Sequence, residues 1–265
     1  MKKLILLSCL SILFTTSCAK KNNLEPTIKF KTTEGNIVVK LYAETPKHRD
    51  NFVKLVESGF YNGVLFHRVI KDFMIQAGDP ESKNAKRSAS LGSGDVGYSI
   101  PAEIVYPKYY HKKGVLAAAR EGDDVNPERV SSGCQFYLVK GHTFTDQQLN
   151  DLEKKNEQKL ESKLFQEMFN KLSSQHSQNK IDELRDSILT VIHEQMKVNP
   201  SYKFTEQQRI DYKTIGGTPH LDGAYTVFGE VIEGFEIVSN ISKVKTGKMD
   251  RPVEDVRILS AKRIH

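Results

Sequence analysis

The sequence predicts a mainly β protein: a closed antiparallel barrel of eight strands capped by two helices, with an inserted α-helical hairpin. Three observations support this. Short β-branched and aromatic runs recur along the chain between turn residues. Outside one interruption, only two short stretches look helical. The interruption, residues 144–214, holds the helical period along most of its length.

The elements follow in order. TIKFKTTEGNIVVKLY, Thr27–Tyr42, is two alternating runs around Glu34-Gly35-Asn36, a hairpin signal. Thr45 and Pro46 then open a helix as N-cap and first-turn proline, with Phe52, Leu55 and Val56 as its apolar face and Gly59 as its stop. Further strands are expected at Val64–Ile70, Phe73–Gly78, Gly97–Glu103, Gly114–Ala119 and Gln135–Gly141. After the interruption come Tyr225–Ile232, a short helix at Phe235–Ile241 and a last strand near Val256–Ile264. Within the interruption, Leu149, Leu152, Leu160, Leu164, Met168 and Leu172 form one stripe. Ile181, Leu184, Ile188, Ile192 and Met196 form another, beyond a polar turn at Ser173–Asn179. FTDQQ (Phe144–Gln148) and FTEQQ (Phe204–Gln208) each fit a capping box.

The ends and composition narrow the setting. Lys2 and Lys3, an apolar run from Leu4 to Phe14 and small polar residues up to Cys18 have the layout of a secretory signal. The run is too short to span a bilayer. It resembles a bacterial lipoprotein leader, with residues 1–17 removed, Cys18 lipidated and residues 18–26 a polar tether; Thr15 stands where an aliphatic residue is usual. Ala19 gives no inner-membrane retention signal, so the expected location is the cell envelope, on the outer membrane facing the periplasm. Loss of Lys2 and Lys3 lowers the formal net charge from +6 to +4. Basic residues are scattered, without a basic arm or a base-stacking motif, which argues against a nucleic-acid partner. With Cys18 lipidated, Cys134 is a lone thiol, and its strand face points inward.

The stretch FHRVIKDFMIQAGDP, Phe66–Pro80, sets Arg68 and Gln76 inside the best β-forming segment, where such residues are rarely buried unpaired. Side chains alternate along a strand, so Phe66, Arg68 and Ile70 share a face, Met74 and Gln76 share one, and Gln135 and Tyr137 share one opposite to Cys134 and Phe136. One side of the sheet then carries an apolar floor with a few polar groups and one fixed cation. Such a surface suits an extended peptide with one apolar anchor.

FHRVIKDFMIQAGD, GYSIPAE, GVLAAA, SSGCQFYL and LDGAYTVFGEV occur in the order found in the cyclophilin family of peptidyl-prolyl cis–trans isomerases, which this chain resembles over residues 27–143 and 216–265. The resemblance implies a cyclophilin-like domain over 27–265, interrupted by the insert at 144–214. It implies Arg68 as the catalytic arginine. His67, Phe73, Met74, Gln76, Ala119, Arg120, Gln135, Tyr137, Leu221 and Tyr225 become substrate-binding residues. Among these, Phe73, Met74, Tyr137 and Leu221 form the proline pocket, Gln76 orients Arg68, Gln135 contacts substrate backbone, and Ala119 and Arg120 offer a strand edge. Tyr137 replaces a common Phe, Arg120 an Asn, Tyr225 a His and His220 a frequent Trp.

The implied partners are proline-containing polypeptides, with no cofactor or metal needed, contact with the membrane only through the lipid, and a monomeric state. Two other readings share the groove: a non-catalytic peptide binder, or a chaperone that holds clients through the insert. The insert itself reads either as a solvated hairpin on the barrel side or as a client-holding arm.

Overall fold

The computed structural model of the protein describes residues 25–173 and 178–265. The leader, Cys18 and most of the tether lie outside the described residues, as do the side chains of Ile181 and Leu184 and the middle of the expected turn at 173–179.

Strands β1 (Thr27–Thr32) and β2 (Gly35–Leu41) form the first hairpin, followed by helix α1 (Pro46–Glu57), β3 (Phe66–Ile70) and β4 (Met74–Ala77). Next come β5 (Ser99–Ile100), β6 (Val115–Ala118), β7 (Ser131–Ser132) and β8 (Phe136–Val139). The insert holds α2 (Asp146–Ser173), α3 (Gln178–Val198) and α4 (Glu206–Thr214); β9 (Val227–Glu233), α5 (Phe235–Ile241) and β10 (Ile258–Arg263) complete the chain. Eight strands form one antiparallel sheet in the order β10-β1-β2-β9-β6-β8-β4-β3, and β5 pairs with β7 apart from it.

That sheet is a half-barrel, where a closed barrel was expected. No ladder joins β3 to β10. The chain meets Ile258 of β10 through Gly63 and Val64, ahead of β3, and among the described residues only Leu65 and Arg257 take bridge geometry there. Three backbone bonds span the gap: Gly63 N–H to Ile258 O, Ile258 N–H to Val64 O and Phe66 N–H to Val256 O, at 2.7, 2.9 and 2.9 Å.

The concave face holds the core. Phe30, Phe136 and Phe228 of the sheet meet Phe52 of α1, which contacts all three rings at centroid distances of 5.3–6.2 Å. Val238 and Ile241 of α5 add to the same core. The expected cap on α1 is corrected: Thr45 makes no side-chain cap bond, and its buried hydroxyl has no partner among the described residues. Glu103 caps instead, its carboxylate accepting from the Lys47 and His48 N–H groups at 3.0 Å each and standing 2.7 Å from His48 Nδ1. A carboxylate there also meets the positive end of the helix dipole.

Among its described residues the insert has three helices where two were expected. Both FT-x-QQ stretches form complete capping boxes, Thr145 with Gln148 and Thr205 with Gln208, so FTEQQ opens the third helix. The base of the insert has its own small core of Leu149, Phe204 and Tyr212, against Tyr110, Phe144 and Tyr202. Its exit is pinned at Gly217, which bridges both Lys112 and His142. A Cβ at Gly217 would stand 2.3 Å from His111 O, so only glycine allows this close backbone approach. Farther out, Ile188 and Ile192 of α3 pack against Leu164, Phe165 and Met168 of α2.

Candidate active site

The convex face of the sheet carries the site. Alternation on β8 divides its side chains: Phe136 and Leu138 enter the core, while Tyr137 and Val139 join a second apolar cluster with Met74, Ala117 and Val227. Phe73, Leu221 and Tyr225 pack against that cluster from loops. The register then lines up one row across four strands: Arg68 faces Gln76, Gln76 faces Tyr137, and Tyr137 faces Ala117.

One expectation about this row fails for an identifiable reason. Phe66 and Arg68 do not share a face. Phe66 opposes Ala77 while Arg68 opposes Gln76, so β3 carries one extra residue, His67, as a β-bulge. The bulge leaves Phe66 in the core at 1% exposure and turns Arg68 out, its side chain 43% exposed.

The groove encloses about 620 Å³. Arg68, His67, Phe73, Met74, Gln76, Ala119, Arg120, Tyr137, Leu221 and Tyr225 all line it. Gln135 does not; it lines the neighbouring cavity beyond Ala119. Its amide donates to the carbonyls of Gly92 and Gly94 at 2.9 and 2.8 Å, and its oxygen accepts from Gln76 Nε2 at 3.0 Å. Gln76 therefore bonds Gln135 where a bond to Arg68 was expected, and Gln135 braces the 92–94 loop over the groove.

Arg68 is held by a residue that sequence reasoning missed. Its Nε lies 3.4 Å from Asp250 Oδ2. Met249, beside it, lines the groove too. Both residues adopt left-handed backbone, φ 57° and 59°, unusual for side chains of this kind. They lie far along the chain from Arg68, and no local pattern in the sequence connects them.

The strand edge is divided between its two residues. Ala119 N–H donates to Gln135 O and Ala119 O accepts from Ser132 N–H, at 3.0 and 2.8 Å. Among the described residues the Arg120 backbone makes no hydrogen bond, so Arg120 holds the free edge. Its side chain is turned away, donating to Ala224 O at 2.8 Å and pairing with Asp123 at 2.6 Å. The guanidinium lies 4.3 Å from the centre of the Tyr225 ring, which it fixes in the groove wall. His220, at the position where the family often has a Trp, packs on Phe73 at 5.3 Å between ring centres. Cys134 is the buried thiol expected, and burial pushes its pKa up to about 11.

His67 is 3% exposed, and among the described residues neither ring nitrogen makes a hydrogen bond of good geometry. Burial pulls its pKa down to about 4, so the ring is neutral at physiological pH. A neutral ring beside Arg68 adds no charge to compete with the guanidinium.

The geometry defines a class first: a sheet-borne groove with an apolar pocket and the Arg68 guanidinium at its edge. The chain belongs to the family of cyclophilin type peptidyl-prolyl cis-trans isomerases, whose family model matches residues 27–263. A mouse protein named peptidyl-prolyl cis-trans isomerase-like 1 is 27% identical over 237 residues, covering 89% of this chain and 91% of its own length. A Staphylococcus saprophyticus protein that carries the same activity as a provisional name is 29% identical, covering 86% of each chain. The crystal structure of a Cryptosporidium parvum cyclophilin type peptidyl-prolyl cis-trans isomerase shares the fold, at a TM-score of 0.53 and 19% identity, over 91% of this chain and 98% of that one.

The His67 shift has a measurable consequence. The folded ring resists protonation that the unfolded chain accepts, so its contribution to stability is complete above about pH 6.5 and is lost as pH falls towards 4. At about 1.36 kcal/mol per unit, the loss is on the order of 3 kcal/mol. Urea unfolding at pH 7 and pH 4 is expected to show a smaller drop in stability for His67→Gln than for the parent. Equal drops would contradict it.

Proposed function

We propose that this isomerase acts on X–Pro bonds of exported or envelope polypeptides, with Arg68 donating a hydrogen bond to the prolyl amide nitrogen as the bond twists. The row Arg68–Gln76–Tyr137 beside the Phe73, Met74 and Leu221 wall carries the reading, because it sets the Arg68 cation beside an apolar wall in the groove.

The chemistry needs no more than this. Rotation about an amide meets a barrier of about 20 kcal/mol, because the nitrogen lone pair is delocalised into the carbonyl. Twisting localises that pair on nitrogen and creates an acceptor that the planar ground state lacks. A guanidinium is always charged and donor-only, so its bond forms chiefly in the transition state. A charged hydrogen bond contributes roughly 1.5–3 kcal/mol, equivalent to about 10- to 100-fold in rate. Holding the ring, excluding water from the amide and pairing the flanking backbone to Arg120 supply the rest.

The Asp250 pair suits this role. Its partners are 43% and 46% exposed. A pair so exposed is worth at most about 1 kcal/mol, so it holds Arg68 in place and gives way readily when substrate arrives.

We also propose that the mature chain begins at a lipidated Cys18 and sits in the cell envelope facing the periplasm, as the leader layout supports. Metabolic labelling with a tagged fatty acid should mark the parent and not Cys18→Ser; equal labelling of the two would refute the anchor.

The catalytic reading is tested with an X–Pro tetrapeptide. The parent should accelerate exchange, and Arg68→Ala should lower kcat/KM by about 100-fold, the upper end of what one charged hydrogen bond supplies. A folded variant as active as the parent would remove Arg68 from the mechanism. A folded parent with no acceleration would mean a binding groove without turnover.

A further inference from the structure

The last helix of the insert and the floor of the groove share one buried hydrogen-bond chain. Tyr212 on α4 donates its hydroxyl to Asp222 Oδ2 at 2.6 Å. The other carboxylate oxygen accepts from the His111 backbone N–H at 2.8 Å and lies 3.1 Å from His111 Nδ1. At the far side of that ring, Nε2 lies 2.9 Å from the Tyr137 hydroxyl. None of the four residues is more than 4% exposed.

The chain has a definite direction. Asp222 Oδ1 is an acceptor, so His111 Nδ1 carries a proton towards it, and in the neutral ring Nε2 is left to accept from the Tyr137 O–H. Burial raises the Tyr137 phenol well above its ordinary pKa, which keeps that hydroxyl a donor. Each group then has its partner, and each partner depends on the next.

We propose that Tyr212, Asp222 and His111 are positioning residues for the proline-binding floor, so that the insert fixes the Tyr137 ring through this chain. Asp222 directly follows Leu221, and its own N–H bonds Pro219 O at 3.2 Å to close the turn that carries Leu221. Tyr137 in turn packs edge-to-face on Tyr225, another groove residue, at 6.1 Å. Remove the Tyr212 hydroxyl and a buried carboxylate oxygen loses its partner. The carboxylate then turns to recover a bond, His111 follows, and Tyr137 loses its acceptor. Buried polar networks respond as units in this way. The Phe more common at the Tyr137 position has no hydroxyl to receive the signal, so the coupling depends on this chain's own tyrosine.

The proposal rests on the isomerase reading of the groove, and a double-mutant cycle separates the two. Tyr212→Phe should lower kcat/KM on an X–Pro tetrapeptide by about five- to tenfold in the parent and by less than about twofold in a Tyr137→Phe background, a coupling that groups not linked through shared partners rarely show. A fall by the same factor in both backgrounds would reduce Tyr212 to general support of α4 and overturn the proposal, as would no fall in either. If the parent binds without turning over, the same cycle is read on the dissociation constant of the peptide. A second measurement needs no variant: the ¹⁵N spectrum of the His111 ring in the intact chain should show the proton on Nδ1. A neutral ring protonated on Nε2 would break the chain at its centre.

Discussion

The bulge at His67 sets two residues of β3 against one of β4, and the groove takes its character from that local mismatch. Phe66 stays with the core rings, while Arg68 leaves the core face and enters the row that runs through Gln76 and Tyr137 to Ala117. In a regular, unbulged strand the period of two would place Phe66 and Arg68 on one face. A guanidinium would then be buried in the core, or a Phe would be exposed to water. The bulge lets the best β-forming segment in the chain carry a cation.

What surrounds Arg68 is organised to keep it available. Its ion pair with Asp250 is exposed and weak, and the buried neighbour His67 is held neutral. Polar groups that could compete for substrate are tied up elsewhere: Gln135 on the 92–94 loop, the Arg120 side chain against Ala224 and Asp123. The insert belongs to this organisation and is more than a surface addition. Its exit closes on Gly217, and its last helix reaches the carboxylate next to Leu221.

Most of the strand plan was legible in the sequence, because alternation on a half-buried sheet leaves a period of two that needs no partner to be seen. The assignment of Tyr137 to one face and of Phe136 and Cys134 to the other held for that reason. Features set by distant residues left no such trace. The bulge exists only relative to β4. The cap on α1 comes from Glu103, more than fifty positions beyond the helix start, and displaces the local Thr45 that the pattern favoured. Asp250 is brought to Arg68 by a turn near the C-terminus. The third helix of the insert was marked by its capping box, but nine residues are too short for a clear apolar stripe. Barrel closure also depended on long-range register, and there the turn before β3 supplies single bonds in place of a ladder.

The central claim is that Arg68 binds the twisted amide and not the planar one. The most direct measurement is the dissociation constant of an X–Pro peptide for folded Arg68→Ala, determined by NMR titration alongside the parent. Selective binding of the transition state predicts a dissociation constant within about threefold of the parent's, because the lost interaction is absent from the ground state. Affinity weakened by as much as catalysis would show that Arg68 holds the substrate in both states alike, and would contradict the account.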